Sequence, residues 1–103
     1  MSVTVSGYVF SDPVFKTTDL EHRQGIYLIV DCRQDGSMHC LDVGESGDVR
    51  TRIEQHDRKA CWRRHALGDI GVSVSYTPGY TTAERQKIEG YIRAAMNPPC
   101  GER

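Results

Sequence analysis

The sequence has no apolar run longer than "IYLIV" at 26–30. A helix crossing a bilayer needs about 20 apolar residues in succession, so no membrane span is expected. The opening "MSVTVSGYVF" lacks the basic end and long apolar middle of a secretory leader, and a cytoplasmic location is the expectation. There is no C-x-x-C pair among Cys32, Cys40, Cys61 and Cys100. In a reducing compartment such cysteines are expected to stay reduced and to serve as small apolar residues. Repeats and low-complexity tracts are also missing, and no linker divides the chain, which excludes solenoids and strings of modules. At 103 residues, 26% of them charged, the chain is one small soluble-type domain.

Charge of one sign is missing too: the net value is −1. Its distribution is less even. Arg50, Arg52, Arg58, Lys59, Arg63 and Arg64, six of the 13 basic residues, fall between residues 50 and 65 with His56 and His65, against Glu54 and Asp57. A local patch of this kind is the footprint of phosphate binding, which follows local rather than net charge. It is equally what a solvated helix face looks like. Cys61 and His65 stand four apart, on one side of a helix, and with His56 and Cys100 they offer four soft ligands. Their spacing is not a usual zinc signature, and zinc is not expected.

Residues 3–10 are β-prone and interrupted by Gly7, which gives an edge strand or an extended arm. "GIYLIVD" at 25–31 is an apolar central-strand run. Asp35-Gly36 is a turn signal, and "MHCLDV" at 38–43 returns, so 25–44 is expected to be an antiparallel hairpin. From Ser46 the period changes: Val49, Ile53, His56 and Ala60 recur at helical spacing behind Ser46 or Asp48 as cap. The spacing predicts a helix to about Lys59 that continues, with a break, through "CWRRHA". "IGVSVSY" at 70–76 alternates as a half-buried strand. Thr81-x-x-Glu84 is a capping box ahead of a helix striped by Ile88, Tyr91, Ile92 and Ala95. The expected fold is α+β, a small, mostly antiparallel three-stranded sheet flanked by helices in the order β-β-α-β-α. Residues 1–24 form an N-terminal arm or edge strand, and 25–103 the domain proper.

At about 100° per residue, Arg52 flanks the stripe of the first helix, His56 lies within it, and Glu89 lies beside that of the last. These groups sit where a helix meets the sheet and a cleft can form. "GIY" at 25–27, "DVG" at 42–44, Arg52, His56, Glu89 and the prolines at 98–99, in this order and spacing, resemble the GIY-YIG nuclease superfamily over roughly residues 25–101. The resemblance implies metal-dependent phosphodiester hydrolysis of nucleic acid, DNA first. Glu89 would bind one Mg²⁺ or Mn²⁺, since hard cations take oxygen ligands, and no organic cofactor is implied. Arg52 would hold the scissile phosphate with its guanidinium fork. Tyr27 would position or deprotonate the attacking water, and His56 would orient it or hydrogen-bond a motif tyrosine. Gly44 would let backbone approach substrate, with Arg50, Arg58, Lys59, Arg63 and Arg64 as further phosphate contacts.

Three positions depart from the family pattern. Asp42 stands where the first tyrosine of "YIG" is expected, Gly101 where an asparagine follows the proline-containing tail, and Glu45 at a position often polar or basic. Asp42 is expected either to turn into the cleft and share the metal with Glu89, or to repel phosphate and leave a binding module. The chain therefore reads as an endonuclease-like enzyme, with a catalytically inactive nucleic-acid-binding or adaptor domain as the alternative. A small zinc-binding interaction module on Cys61, His65 and Cys100 is the third reading. A protein partner or a homodimer is not deducible from these residues.

Overall fold

The run "GIYLIVDC" has apolar side chains on both of its faces. In the computed structural model, which describes residues 3–101, it is the middle strand of a three-stranded antiparallel sheet. Strand β3 (Gly25–Cys32) pairs with β4 (Met38–Ser46) on one side and β5 (Asp69–Tyr76) on the other, giving the order β4-β3-β5. Successive side chains of a strand point to opposite faces, and here both faces are covered. Tyr27 and Ile29 pack with Val49, Ile53 and Trp62 of helices α1 (Val49–Glu54) and α2 (Lys59–His65). Ile26, Leu28 and Val30 pack with Ile88 and Ile92 of helix α3 (Thr82–Met96) and with Val5 and Phe10. Burial on both sides is why β3 reads as a continuous apolar run rather than an alternating one.

The register of β3 on β4 slips by one residue between Ile29 and Val30. Ile29 pairs with Asp42 and Val30 with Cys40, so Leu41 is the extra residue of a bulge and Asp42 keeps to the face of Ile29. Such a bulge re-aims a side chain. Here the residues before Leu41 are the ones shifted, while Asp42 continues the register of Val43 and Gly44 and faces α2 with Ile29.

Residues 3–10 form a hairpin of their own rather than a strand added to the sheet. Strand β1 (Val3–Val5) pairs with β2 (Tyr8–Phe10) across Ser6-Gly7, both at positive φ, the two-residue turn that matches strand twist. The chain then runs along β5. Val14 bridges Val72, and the Ser11 N–H donates to the Val74 carbonyl at 2.9 Å. The amino-terminal segment therefore shares the core of the rest.

The helix expected to reach Lys59 stops at Glu54 and resumes as α2. The interruption turns the buried His56 ring inward against Tyr27 and Trp62. The Asp48 carboxylate accepts from the Thr51 N–H at the start of α1, and the capping box of Thr81 and Glu84 is fully formed at α3. Two cysteines are not free: Cys61 and Cys100 are joined in a disulfide with their Cα atoms 6.0 Å apart. The expectation of four reduced thiols fails at this pair because the tail after α3 folds back onto α2, across 39 residues of sequence. Cys32 and Cys40 remain thiols. No described helix is long and apolar enough to cross a membrane.

Candidate functional site

Tyr27, Gly44, Arg52, Arg58 and Glu89 line one open cleft of about 610 Å³, together with Glu45, Asp57, Arg93 and Gly101. Residues from β3, β4, α1, α3 and the flanks of α2 thus meet in one place, although they span most of the chain. Arg50, Lys59, Arg63 and Arg64 do not line it. Arg50 pairs with Glu54 on the surface of α1, Lys59 donates to the Glu54 carbonyl, and Arg63 and Arg64 are exposed on α2.

Tyr27 owes its position to Gly44. The two are cross-strand partners, and a Cβ at residue 44 would overlap the hydroxyl end of the Tyr27 ring. With glycine there, the ring lies across β4 and its hydroxyl reaches the cleft. That hydroxyl is 2.9 Å from His56 Nε2, while His56 Nδ1 accepts the backbone N–H of Arg58 at 3.1 Å. Burial, with help from Arg52 and Arg58, pulls the His56 pKa down to about 4 against the opposing fields of Asp42 and the exposed Asp57. The imidazole is therefore neutral at pH 7. With Nδ1 accepting, its proton is assigned to Nε2, which donates to the Tyr27 oxygen. The phenol's own proton is then free to point into the cleft. Burial pushes the Tyr27 pKa up to about 12, although Arg52 pulls the other way, so this hydroxyl is a donor at neutral pH and not a phenolate.

His56 has a measurable signature. The unfolded chain binds a proton at this residue below about pH 6.5 and the folded protein only below about pH 4, so stability declines as pH falls through that window. The expected loss is about 3 kcal/mol. Urea unfolding of the native protein between pH 7 and pH 4.5 should show it, and His56→Gln should remove most of the slope. An equal pH dependence in both proteins would refute the buried neutral imidazole.

Asp42 takes neither expected course. It is wholly buried beneath the cleft rather than in it. Oδ1 accepts from the Val43 N–H at 2.8 Å, Arg93 Nη2 at 2.8 Å and Arg58 Nη2 at 3.3 Å. Oδ2 accepts from Arg58 Nε and Trp62 Nε1, both at 2.8 Å. A carboxylate has about four lone-pair positions, so five donors leave none for a cation. The expectation that Asp42 shares a metal with Glu89 is corrected on this ground. Burial alone would raise its pKa, but the hydrogen bonds from Arg58, Trp62 and Arg93 outweigh it and hold the group below the usual carboxylate range.

The tail completes this hub. Arg93 Nη1 donates to the Cys100 carbonyl at 2.9 Å and Nη2 also reaches the Val43 carbonyl. Gly101, at φ +94°, passes so close that a Cβ would meet both Arg93 nitrogens and Asp42 Oδ1 within 2.8 Å. The departures at 42 and 101 therefore belong to one arrangement: an arginine–carboxylate cluster that admits no side chain at 101. Glu45, the third departure, is neutralised by Arg85 Nε at 2.9 Å.

Two charged groups remain for the cleft itself. Arg52 pairs with Asp57 at 3.3 Å and lies against the Tyr27 hydroxyl; with the Asp57 side chain 75% exposed, that ion pair is worth little and easily exchanged for a phosphate. Glu89 lies 3.5 Å from Arg93 Nε, but that nitrogen makes no hydrogen bond, so the carboxylate is neighboured rather than clamped. Burial raises the Glu89 pKa, Arg93 opposes this and Glu45 adds to it. A half-buried carboxylate under-compensated in this way, on the same cleft as a tyrosine hydroxyl, is the group there that could hold a hard divalent cation.

The sequence reading missed Trp62 and Arg93. Arg93 has a visible signal, the i,i+4 pairing with Glu89; Trp62 has none beyond being the sole tryptophan. The chain matches no protein-family model, no curated protein and no solved structure.

Proposed function

We propose that the protein is a small divalent-metal-dependent endonuclease-like enzyme of the GIY-YIG type, hydrolysing phosphodiester bonds in nucleic acid, DNA first, in the cytoplasm. The observation that carries this reading is the convergence of Tyr27, Arg52 and Glu89 on one cleft, with the charges around them already spent on one another. Arg52 holds a non-bridging phosphate oxygen by its fork. The Tyr27 hydroxyl, kept protonated by burial, positions the attacking water or a phosphate oxygen by donation, and a phenol with so high a pKa is a poor base at neutral pH. His56 fixes the direction of that donation. Glu89 would hold Mg²⁺ or Mn²⁺, which when bound supplies charge stabilisation at the phosphate.

The exposed Arg63 and Arg64 on α2, outside the cleft, favour a second reading, a nucleic-acid-binding module that does not cut. One experiment separates the two. Plasmid, single-stranded and branched DNA and RNA are incubated at low salt with Mg²⁺, Mn²⁺ or EDTA. The expected result is metal-dependent cutting that falls at least about 100-fold in Glu89→Gln while retention on the same nucleic acid persists, as loss of a transition-state interaction requires. Retention without cutting selects the binding module, and neither retention nor cutting overturns both readings.

A further inference from the structure

The cluster at the junction of α2 and the tail lies outside the cleft. Cys61 and His65 are four residues apart on α2, on one face, and Cys100 is carried against them from the other end of the fold. Its ligand atom and theirs all lie within 4.8 Å of one another. The tail is placed by contacts that do not involve sulfur: the Cys100 N–H donates to the Leu41 carbonyl at 3.0 Å, and its carbonyl accepts from Arg93. His56, the fourth ligand considered from the sequence, is committed to Tyr27 in the core.

We propose that Cys61, His65 and Cys100 form a zinc-class metal site that the Cys61–Cys100 disulfide closes and its reduction opens. Tetrahedral zinc with Zn–S near 2.3 Å and Zn–N near 2.0 Å sets its donors about 3.5–3.8 Å apart. The imidazole nitrogen lies within 4.8 Å of both sulfurs, so after reduction the sulfurs part and the exposed His65 side chain closes the last ångström or so by a small rotation. Cys100 is buried, Cys61 half-buried and His65 exposed, so the fourth position faces solvent and is open to water. Two thiolates neutralise a divalent ion, which the adjacent Arg63 and Arg64 would otherwise disfavour. The absence of an oxygen ligand selects a borderline-soft ion over Mg²⁺.

A phosphine and one water reduce the disulfide to two thiols, and the phosphine becomes its oxide. Each thiol then loses a proton as the ion binds, so two protons are released per metal. In the reverse direction a peroxide takes two electrons from the two thiolates, the S–S bond forms, the peroxide leaves as two waters after taking two protons, and the metal departs hydrated. Disulfide and metal are thus alternative clasps for the same tail. The reduced, metal-free protein lacks both, and Gly101 then lies against Arg93 without a tether. In a reducing compartment the metal clasp is the one available.

This inference goes beyond the nuclease reading, and its test reads metal rather than cleavage. The 103-residue chain is reduced with a phosphine without oxygen, given one equivalent of Zn²⁺ or Co²⁺, and titrated against a chromophoric chelator. The expected result is one equivalent bound, with thiolate-to-cobalt charge-transfer absorption, and none bound by the oxidised protein. His65→Ala should weaken binding at least tenfold, and Cys32→Ser with Cys40→Ala should leave it unchanged. Should the reduced protein lose its circular dichroism, recovery that is complete at one equivalent of zinc also supports the site. Absence of stoichiometric metal on the reduced protein, failure of zinc to restore an unfolded one, equal affinity in His65→Ala, or loss of binding in the Cys32/Cys40 variant would each overturn it.

Discussion

Asp42→Leu is expected to lower the folding free energy by about 3–5 kcal/mol, the typical cost of leaving one side of a buried ion pair without its partner. Arg93 is the reason. Its side chain is only 8% exposed, and Asp42 is its charge-compensating contact at hydrogen-bond distance. The buried Trp62 Nε1–H and the Val43 N–H lose an acceptor in the same step. Arg58, 30% exposed, can turn to water and contributes less. For a domain whose total stability is of order 5–15 kcal/mol, such a loss brings the variant to the margin of folding at ambient temperature. A double variant, Asp42→Leu with Arg93→Met, should recover at least about 2 kcal/mol, since replacing both members of a buried pair is often close to neutral. Urea unfolding of the two single variants and the double completes the cycle. A cost under about 1 kcal/mol for Asp42→Leu would show that the cluster is not what holds this end of the fold. The same pairing sets the acid limit: because the folded pKa is depressed, the contribution of Asp42 is complete above the ordinary carboxylate value and disappears as pH falls through the folded one.

Gly44→Ala is expected to be almost as damaging from a single methyl group. The added carbon would occupy the space of the Tyr27 ring, and the ring, 1% exposed, can relieve the overlap only by swinging its hydroxyl end away from His56 toward the cleft. Overpacking costs about 1–3 kcal/mol, and displacing the hydroxyl leaves the His56 Nε2–H unpaired in the interior for about 1–3 kcal/mol more. The sum is about 2–6 kcal/mol in stability. Cleavage, on the proposed reading, should fall about tenfold or more in whatever fraction still folds, because Tyr27 no longer faces Arg52. Thermal unfolding and the plasmid assay check the two halves separately. A variant that unfolds with wild-type cooperativity and stability would mean that the ring is not seated against β4.

How much of this was legible in the sequence depends on how locally each feature is determined. The β3–β4 hairpin, β5 and α3 follow from alternation, a turn dipeptide and a capping box, all confined to a few neighbouring residues, and the structure has each of them. The break between α1 and α2 was legible only as an interruption. What ends α1 at Glu54 is the inward turn of His56 toward Tyr27, 29 residues earlier. Asp42 was legible as an anomaly and not as a hub, because its partners Arg58, Trp62 and Arg93 lie 16, 20 and 51 residues away. The bulge at Leu41, next to Asp42 in the chain, carries no glycine or proline to announce it. Glu45 illustrates the same limit: a carboxylate beside a glycine reads as added negative charge, and only the approach of Arg85 from α3 cancels it.

The tail and the amino-terminal segment have one more consequence in common. A three-stranded sheet has two outer borders, and unpaired backbone along a border is where identical chains add to one another and grow into fibrils. Along β5, residues 11–14 occupy the outward groups of Val72 and Val74. Along β4, Cys100 takes the Leu41 carbonyl and Arg93 takes that of Val43. Neither cover is a full strand, and the second is fastened to α2 by Cys61 alone among covalent bonds. Should the tail peel away from those hydrogen bonds, a stretch of β4 would be bared while the sheet behind it is still intact. Ordered self-association of folded molecules, ahead of unfolding, is the failure against which these two short covers protect the protein.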